Sequence, residues 1–361
     1  MSTELSRLLE AFDRNHLSRR QLLGGLGALW LTPASGLAAA VRTPKRGGWI
    51  DGPPPLPFEP TGWKTVLLDR LSCRVENYEK EAAFYNALMN WGVRQDSGSE
   101  AVLDIGDWGG IVIRGGYRSS ESQVQAQRAE YDRSVAEART RGIELGPFVP
   151  RNTLFDGICW GIEPWDARAV EAALKTRGFS PVAENHGGSF ESFHIKDPDG
   201  FDVHLSNGNR HNRRTTPAHG RLAAAAPFDH TDWKTVWLDH ISYQCSDYRR
   251  TVAFYQALLG WEPQLDYGNS NQVRCGSIGD AIIRNGFGGG GVLIDHISYG
   301  IAPFNVKAAK ADLQKRGLSA TPDSGGPESI DTAPYKSYLT VTPNGYDLQL
   351  SNADPVNRGE S

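Results

Sequence analysis

The sequence predicts an α+β fold made from four copies of one β-α-β-β-β module, and three observations predict it. First, the chain writes one opening twice: WKTVLLDRLSCR begins at Trp63 and WKTVWLDHISYQ at Trp233, 170 residues apart, and the likeness extends over Val66–Gly115 and Val236–Gly286. Second, each half holds a further related unit, because LFDGICWGIEPWDARAVEAALKTRGF (Leu154–Phe179) aligns without gaps on LIDHISYGIAPFNVKAAKADLQKRGL (Leu293–Leu318). Third, every unit opens with a short apolar strand, continues with a helical pattern and ends in two or three β-runs. Internal repetition at fixed spacing is the signature of duplicated structural units.

The elements follow in order within each module. Asn77, Asp166, Asp247 and Asn305 stand where a helix N-cap needs a short oxygen acceptor. Behind them, apolar residues recur at helical spacing, as in Phe84, Leu88 and Trp91 or Val170, Ala173 and Leu174. Arg177-Gly178 and Arg316-Gly317 predict helix ends, a cation near the negative helix terminus followed by a glycine at C′. DPDGFDVHLSN and TPNGYDLQLSN predict closing hairpins, with Asp199-Gly200 and Asn344-Gly345 as two-residue turns. Strand alternation then puts Asp202 and His204 on one face, and Asp347 and Gln349 on the corresponding face. Phe201, Val203, Leu348 and Leu350 point the other way.

Length and composition set the frame for these modules. A chain of 361 residues, 39% hydrophobic and 22% charged, is a soluble globular composition too long for one ordinary core. Thirty-eight basic residues against 42 acidic ones give a formal net charge of −4, so no basic field points to nucleic acid. The basic run NRHNRRTTPAHGR, Asn209–Arg221, reads as a solvated linker. Cys73, Cys159, Cys245 and Cys275 show no CxxC pair or metal-ligand spacing and are expected to be buried thiols.

The N-terminus reads as an address rather than as fold. SRRQLL, Ser18–Leu23, pairs Arg19 and Arg20 with an apolar run, and GLAAA, Gly36–Ala40, offers small residues for cleavage after Ala40. This is similar to a twin-arginine export signal, which implies a bacterial periplasmic or secreted protein. Gln21–Ala40 is uncharged and about long enough to span a bilayer, but its Gly, Ser and Pro content makes a poor span, so no stable membrane span is expected after cleavage. The expected organisation is a signal peptide at 1–40, a Pro/Gly-rich linker at 41–62 and a first domain at 63–206. A linker at 207–232, a second domain at 233–353 and a tail at 354–361 follow.

With its LDHI strand opening and DPDG or TPNG closing hairpins, the stretch from Trp63 to Asn352 resembles the vicinal oxygen chelate superfamily of glyoxalases, bleomycin-resistance proteins and extradiol dioxygenases. The resemblance implies that module pairs close into two incomplete barrels. It also implies a metal held by first-strand histidines and a last-strand carboxylate, with the four-module layout being that of the extradiol dioxygenases. Carried across, the first-strand positions are Arg70, Gly157, His240 and His296, and the last-strand positions are His204 and Gln349. The implied centre is therefore His240, His296 and Gln349 in the second domain. Asp347 stands on the same face, as an alternative ligand or as a hydrogen-bond partner of a ligating histidine. His194 and His204 mark a weaker first-domain site, and Arg70 is expected to face solvent, a carboxylate or a bound anion.

The donor chemistry agrees with that assignment, since two imidazoles and an oxygen leave positions open for a bidentate substrate. The cofactor expected is a divalent metal, Fe(II) ahead of Mn, Zn or Ni, and the partner is a small-molecule substrate. The sequence is compatible with a monomer or an oligomer. Three functions fit: an extradiol-type dioxygenase acting on a catechol-like aromatic, a glyoxalase-type metal-dependent isomerase or lyase, and a non-catalytic ligand-binding protein. The superfamily's acid/base tyrosine would fall on Leu339, with Tyr338 on the opposite face, and in the first half that slot is His194.

Overall fold

Each predicted cap takes an amide that its helix leaves orphaned. The computed structural model describes residues 44–106, 109–140, 142–185, 189–209, 211–212, 220–286, 291–325 and 328–356. Its helices are α1 (Tyr78–Met89), α2 (Glu121–Thr140), α3 (Ala167–Thr176), α4 (Tyr248–Leu259) and α5 (Val306–Lys315). Asn77 accepts from the Lys80 amide, Asp166 from Ala169, Asp247 from Arg249 and Arg250, and Asn305 from Ala308. Arg177 and Arg316 close α3 and α5, each followed by a glycine at positive φ. The segment read as an export signal, with Arg19 and Arg20, lies outside the described residues.

The strands form two sheets, one for each half of the repeat. The first half contributes β2 (Lys64–Val75), β3 (Gly92–Asp96), β4 (Glu100–Ile105), β5 (Gly109–Arg114), β6 (Thr153–Glu163), β7 (Val182–Asn185), β8 (Glu191–Lys196) and β9 (Asp202–Ser206), in the order β3-β4-β5-β2-β6-β9-β8-β7. The second half contributes β10 (Lys234–Cys245), β11 (Glu262–Asp266), β12 (Ser270–Arg274), β13 (Gly279–Asn285), β14 (Leu293–Ala302), β15 (Thr321–Asp323), β16 (Ser337–Val341) and β17 (Asp347–Ser351). Their order repeats that of the first sheet, with β1 (Lys45–Arg46) added at the edge beside β11. In both sheets the first strands of two modules pair antiparallel, β2 with β6 and β10 with β14, and each also runs parallel to the last strand of its own module. The fold is thus four β-α-β-β-β modules in two incomplete barrels.

Two features depart from the expectation. The closing hairpins are not two-residue turns: pairing stops at Lys196↔Asp202 and Val341↔Asp347, leaving residues 197–201 and 342–346 as loops. Within the first loop the Gly200 amide donates to Asp197 O, so Pro198 and Asp199 fill the turn and Gly200 takes the left-handed position after it. The second departure is α2, which has no counterpart in the repeat: residues 115–152 link the first two modules, against 286–292 in the second half. Of α2 only Ala138 is buried, but Gln127 Oε1 accepts from the Arg151 amide at 2.8 Å and so fixes the approach to β6.

All four first strands carry β-bulges, and the bulges decide which side chains enter the barrels. On β10 the pairing steps from Leu238↔Tyr299 to His240↔Ser298, so Asp239 is an extra residue. On the opposite strand it steps from Ser242↔His296 to Tyr243↔Ile294, leaving Asp295 extra. The first half repeats both bulges, at Asp69 and Asp156. A bulged residue escapes strict alternation, so an aspartate and the histidine after it can serve the same face.

The halves hold each other by reciprocal contacts within one continuous apolar cluster. Trp91 Nε1 donates to Thr235 Oγ1 at 2.9 Å, and Trp261 Nε1 to Thr65 Oγ1 at 2.8 Å. Helix α1 meets the β16–β17 hairpin, where Asn344 Nδ2 donates to Glu81 Oε2 at 2.8 Å. Helix α4 meets the β8–β9 hairpin, where Arg250 Nη2 lies 3.1 Å from Asp199 Oδ1. All four cysteines are buried and unbridged, as expected.

Candidate metal centre

The second barrel brings His240 and His296 together, with their Nε2 atoms 3.0 Å apart. Register explains it: His240 faces Ser298 across β10 and β14, and His296 lies two residues before Ser298 on the same face. Both histidines are almost fully buried, 3% and 7% exposed. Each is held from behind by the bulged aspartate that precedes it. Asp239 Oδ2 lies 3.2 Å from His240 Nδ1, and Asp295 Oδ2 lies 3.2 Å from His296 Nδ1.

These carboxylates determine where the ring protons sit. A carboxylate accepts, so each Nδ1 keeps its hydrogen and each Nε2 presents a lone pair, the arrangement in which imidazoles ligate metals. Two lone pairs facing each other at 3.0 Å repel unless a proton or a metal cation lies between them. Burial alone would raise the Asp295 carboxyl, but the Arg284 guanidinium beside it holds it well below the usual carboxylate range.

Gln349 is the candidate third donor. It follows Ser298 in the same cross-strand row, on β17, and is fully buried. Its Nε2, with two hydrogens to give, has three acceptors in reach: Asp323 Oδ2 at 3.1 Å, Tyr335 Oη at 3.1 Å and Ser337 Oγ at 2.7 Å. The amide cannot be turned over. Tyr335 already spends its hydrogen on Asp239 Oδ2, 2.6 Å away, and Ser337 spends its own on the Asp323 carbonyl, so both hydroxyls can only accept from Gln349. Oε1 is therefore left buried with no hydrogen-bond partner among the described residues. Such an atom is costly unless a cation or donor meets it. Two imidazole lone pairs and one orphaned carbonyl oxygen fit a divalent metal.

The residues around this set also answer its charge. Asp239 is buried and gathers His240 Nδ1, Ser298 Oγ and Tyr335 Oη on one oxygen, while Asp323 anchors the Gln349 amide. A neutral donor triad is thus backed by carboxylates one bond farther out. Asp347, the alternative ligand, is occupied elsewhere: its Oδ2 lies 2.8 Å from Arg151 Nη2, at the exposed end of β17.

The first barrel lays a different row on the same scaffold, Arg70–Cys159–His204–His194, against His240–Ser298–Gln349–Leu339 in the second. Gly157 stands where the second half has His296. Glu184, His194 and His204 bring three donor atoms within 4.8 Å of one another, the one such His/Cys/Asp/Glu group among the described residues. Arg70 Nη2 lies 3.6 Å from Glu184 Oε2 and 3.4 Å from His204 Nδ1. Burial, with Arg70 beside it, lowers His204 to about 4, so the imidazole is neutral at pH 7.

Sequence reasoning brought His240, His296 and Gln349 to one barrel face but missed Asp239, Asp295, Asp323, Tyr335 and Glu184. The signal for two of these was in the repeat: LDR, FDG, LDH and IDH put an aspartate before every first-strand position. Tyr335 enters from the loop before β16, which no periodicity marks.

No protein-family profile matches the chain, and no curated protein matches it in sequence. Solved structures do. A Mn(II)-bound glyoxalase from Novosphingobium aromaticivorans is 15% identical over 80% of this chain and 82% of its own, with a TM-score of 0.54. Homoprotocatechuate 2,3-dioxygenase from Arthrobacter globiformis is 15% identical over 82% of each chain, with a TM-score of 0.53. The Brevibacterium fuscum enzyme, solved with 3,4-dihydroxyphenylacetate, is 13% identical over 84% of each chain, with a TM-score of 0.54. The architecture of this chain is that of the glyoxalases and extradiol dioxygenases, the vicinal oxygen chelate fold.

Proposed function

We propose that the chain is an exported metal-dependent enzyme of the extradiol dioxygenase type. Its second domain, 233–353, acts on a catechol-like aromatic at a centre formed by His240 Nε2, His296 Nε2 and Gln349 Oε1. The first domain, 63–206, is its structural partner. The observation that carries the proposal is the pair of Nε2 atoms at 3.0 Å, each backed at Nδ1 by its own bulged aspartate. Fe(II) at this centre would supply Lewis-acid activation of a chelating diol and electrons for dioxygen. The chain's own residues orient and move protons. Asp239 and Asp295 keep the ring hydrogens on Nδ1, and Asp323 with Ser337 holds the Gln349 amide. Tyr335 Oη, 2.6 Å from Asp239 Oδ2, is placed to pass a proton to a buried carboxylate. The Arg19–Arg20 signal suits export of a chain that folds around its metal first.

The neutral Gln349 amide favours a second reading, glyoxalase-type isomerisation or lysis, because an uncharged donor leaves the ion more Lewis-acidic. Elemental analysis followed by oxygen uptake on a panel of catechols with Fe(II) decides. Oxygen consumption with ring opening supports the dioxygenase. Metal binding without oxygen uptake, but with isomerisation of a hemithioacetal, supports the second reading. Full metal occupancy in His240→Ala and His296→Ala would remove both.

A further inference from the structure

The first barrel carries a donor cluster with no part in the second-half centre. His194 and His204 face each other across the β8–β9 pairing, and Glu184 arrives from β7 on the far side of β8. These three occupy the places that Leu339, Gln349 and Asp323 occupy in the second barrel. The exchange gives the first barrel two imidazoles and a longer carboxylate where the second has a leucine, an amide and an aspartate. His204 Nδ1 lies 3.2 Å from Glu184 Oε2, and His194 Nδ1 lies 3.7 Å from Glu184 Oε1. The cluster already holds a cation, the Arg70 guanidinium. Gly157 lies against the cluster: a Cβ there would meet His204 Nε2, Asp202 Cβ and Asp202 O at 3.6 Å, ordinary van der Waals contact.

We infer that Glu184, His194 and His204 form a second divalent-metal site, for a borderline ion of the Zn2+ class, and that Arg70 is its built-in competitor. A guanidinium and a divalent ion cannot share one carboxylate and one imidazole nitrogen at these distances without strong repulsion. Metal therefore enters as the guanidinium leaves, and Arg70 sets the affinity. Imidazole with carboxylate is the donor set that suits zinc and its neighbours rather than magnesium or calcium.

The test uses the full chain carrying His240→Ala and His296→Ala, so that its outcome does not depend on the second-half centre. Zn2+ alone is titrated against a chromophoric chelator, and the visible absorption of Co2+ reports the ligand set. One equivalent of Zn2+ is expected to bind, and Arg70→Met should tighten it at least tenfold, about 1.4 kcal/mol. Arg70→Lys, which keeps the charge, should not tighten it. His204→Ala and His194→Ala should each abolish the Zn2+ equivalent and the Co2+ band, a readout that remains if Arg70→Met does not fold. Unchanged affinity in a folded Arg70→Met chain, or Zn2+ retained without His194 and His204, overturns the inference.

Discussion

Replacing Gln349 with glutamate puts the amide geometry under direct test. In the native barrel Gln349 Nε2 donates to Asp323 Oδ2 from 3.1 Å. A carboxylate there would set two negative oxygens about as far apart, a repulsion of about 5 kcal/mol at an effective dielectric of about 20. Taking up a proton instead costs about 4 kcal/mol at pH 7 for a glutamate of ordinary pKa near 4.3. The cheaper route wins narrowly, so the new carboxyl should stay protonated in the metal-free folded chain. Its folded pKa is then raised above the unfolded value, and the penalty is absent below about pH 4 and grows as pH rises. Urea unfolding of metal-free Gln349→Glu should show a loss of about 4 kcal/mol at pH 7 that shrinks to about 1 kcal/mol at pH 5. Adding Asp323→Asn restores a donor to the glutamate, recovers stability and frees the negative charge for the ion. Only the double variant should bind metal more than tenfold tighter in chelator competition. If Gln349→Glu alone were as stable as the parent at pH 8 and bound metal more tightly, Asp323 would not be holding the amide and the donor assignment would fail.

Three further predictions follow from the same geometry. Asp239→Asn should weaken metal binding ten- to a hundredfold by releasing the His240 ring, as loss of such a supporting carboxylate does, while Tyr335→Phe should cost only about 1 kcal/mol; chelator competition reads both. Burial raises Glu81 to about 7, with Asn344 opposing it, so its stabilising contribution is full below the unfolded value and is lost as pH rises through 7. Glu81→Gln should remove a fall in stability of about 3 kcal/mol between pH 4.5 and 8, measured by urea midpoints. Lys at both Arg19 and Arg20 should leave precursor in the cytoplasm, and export at the native level in a fractionation would refute the twin-arginine signal.

The modules were legible because duplication repeats local physics: a cap at Asn77 reappears as Asp247, and a stop at Arg177 reappears as Arg316. His240, His296 and Gln349 were singled out because the resemblance to the vicinal oxygen chelate superfamily implies ligands at those strand positions; alternation added only the face on which Gln349 lies. Asp239 and Asp295 were not, since each sits in a bulge that breaks that period, and alternation assigns it to the wrong face. Tyr335 and Asp323 come from a loop and a three-residue strand, too short to carry a pattern. Helix α2 escaped because it belongs to one half only, so comparing the halves passed over it. Its contribution reaches the second barrel nonetheless, through Gln127, which holds Arg151 where it pairs with Asp347.

The crosswise contacts between the halves have a consequence for how the chain can be divided. Each indole, Trp91 and Trp261, finds its acceptor in the other half, and each closing hairpin is seated on the other half's helix. A half alone would bare an apolar face and strand a buried donor, yet two halves meeting in solution would find every partner in place. The molecule can be nicked but not halved. Cleaved between Asn209 and Gly220, it should still elute as one particle in gel filtration, whereas either fragment made alone should aggregate.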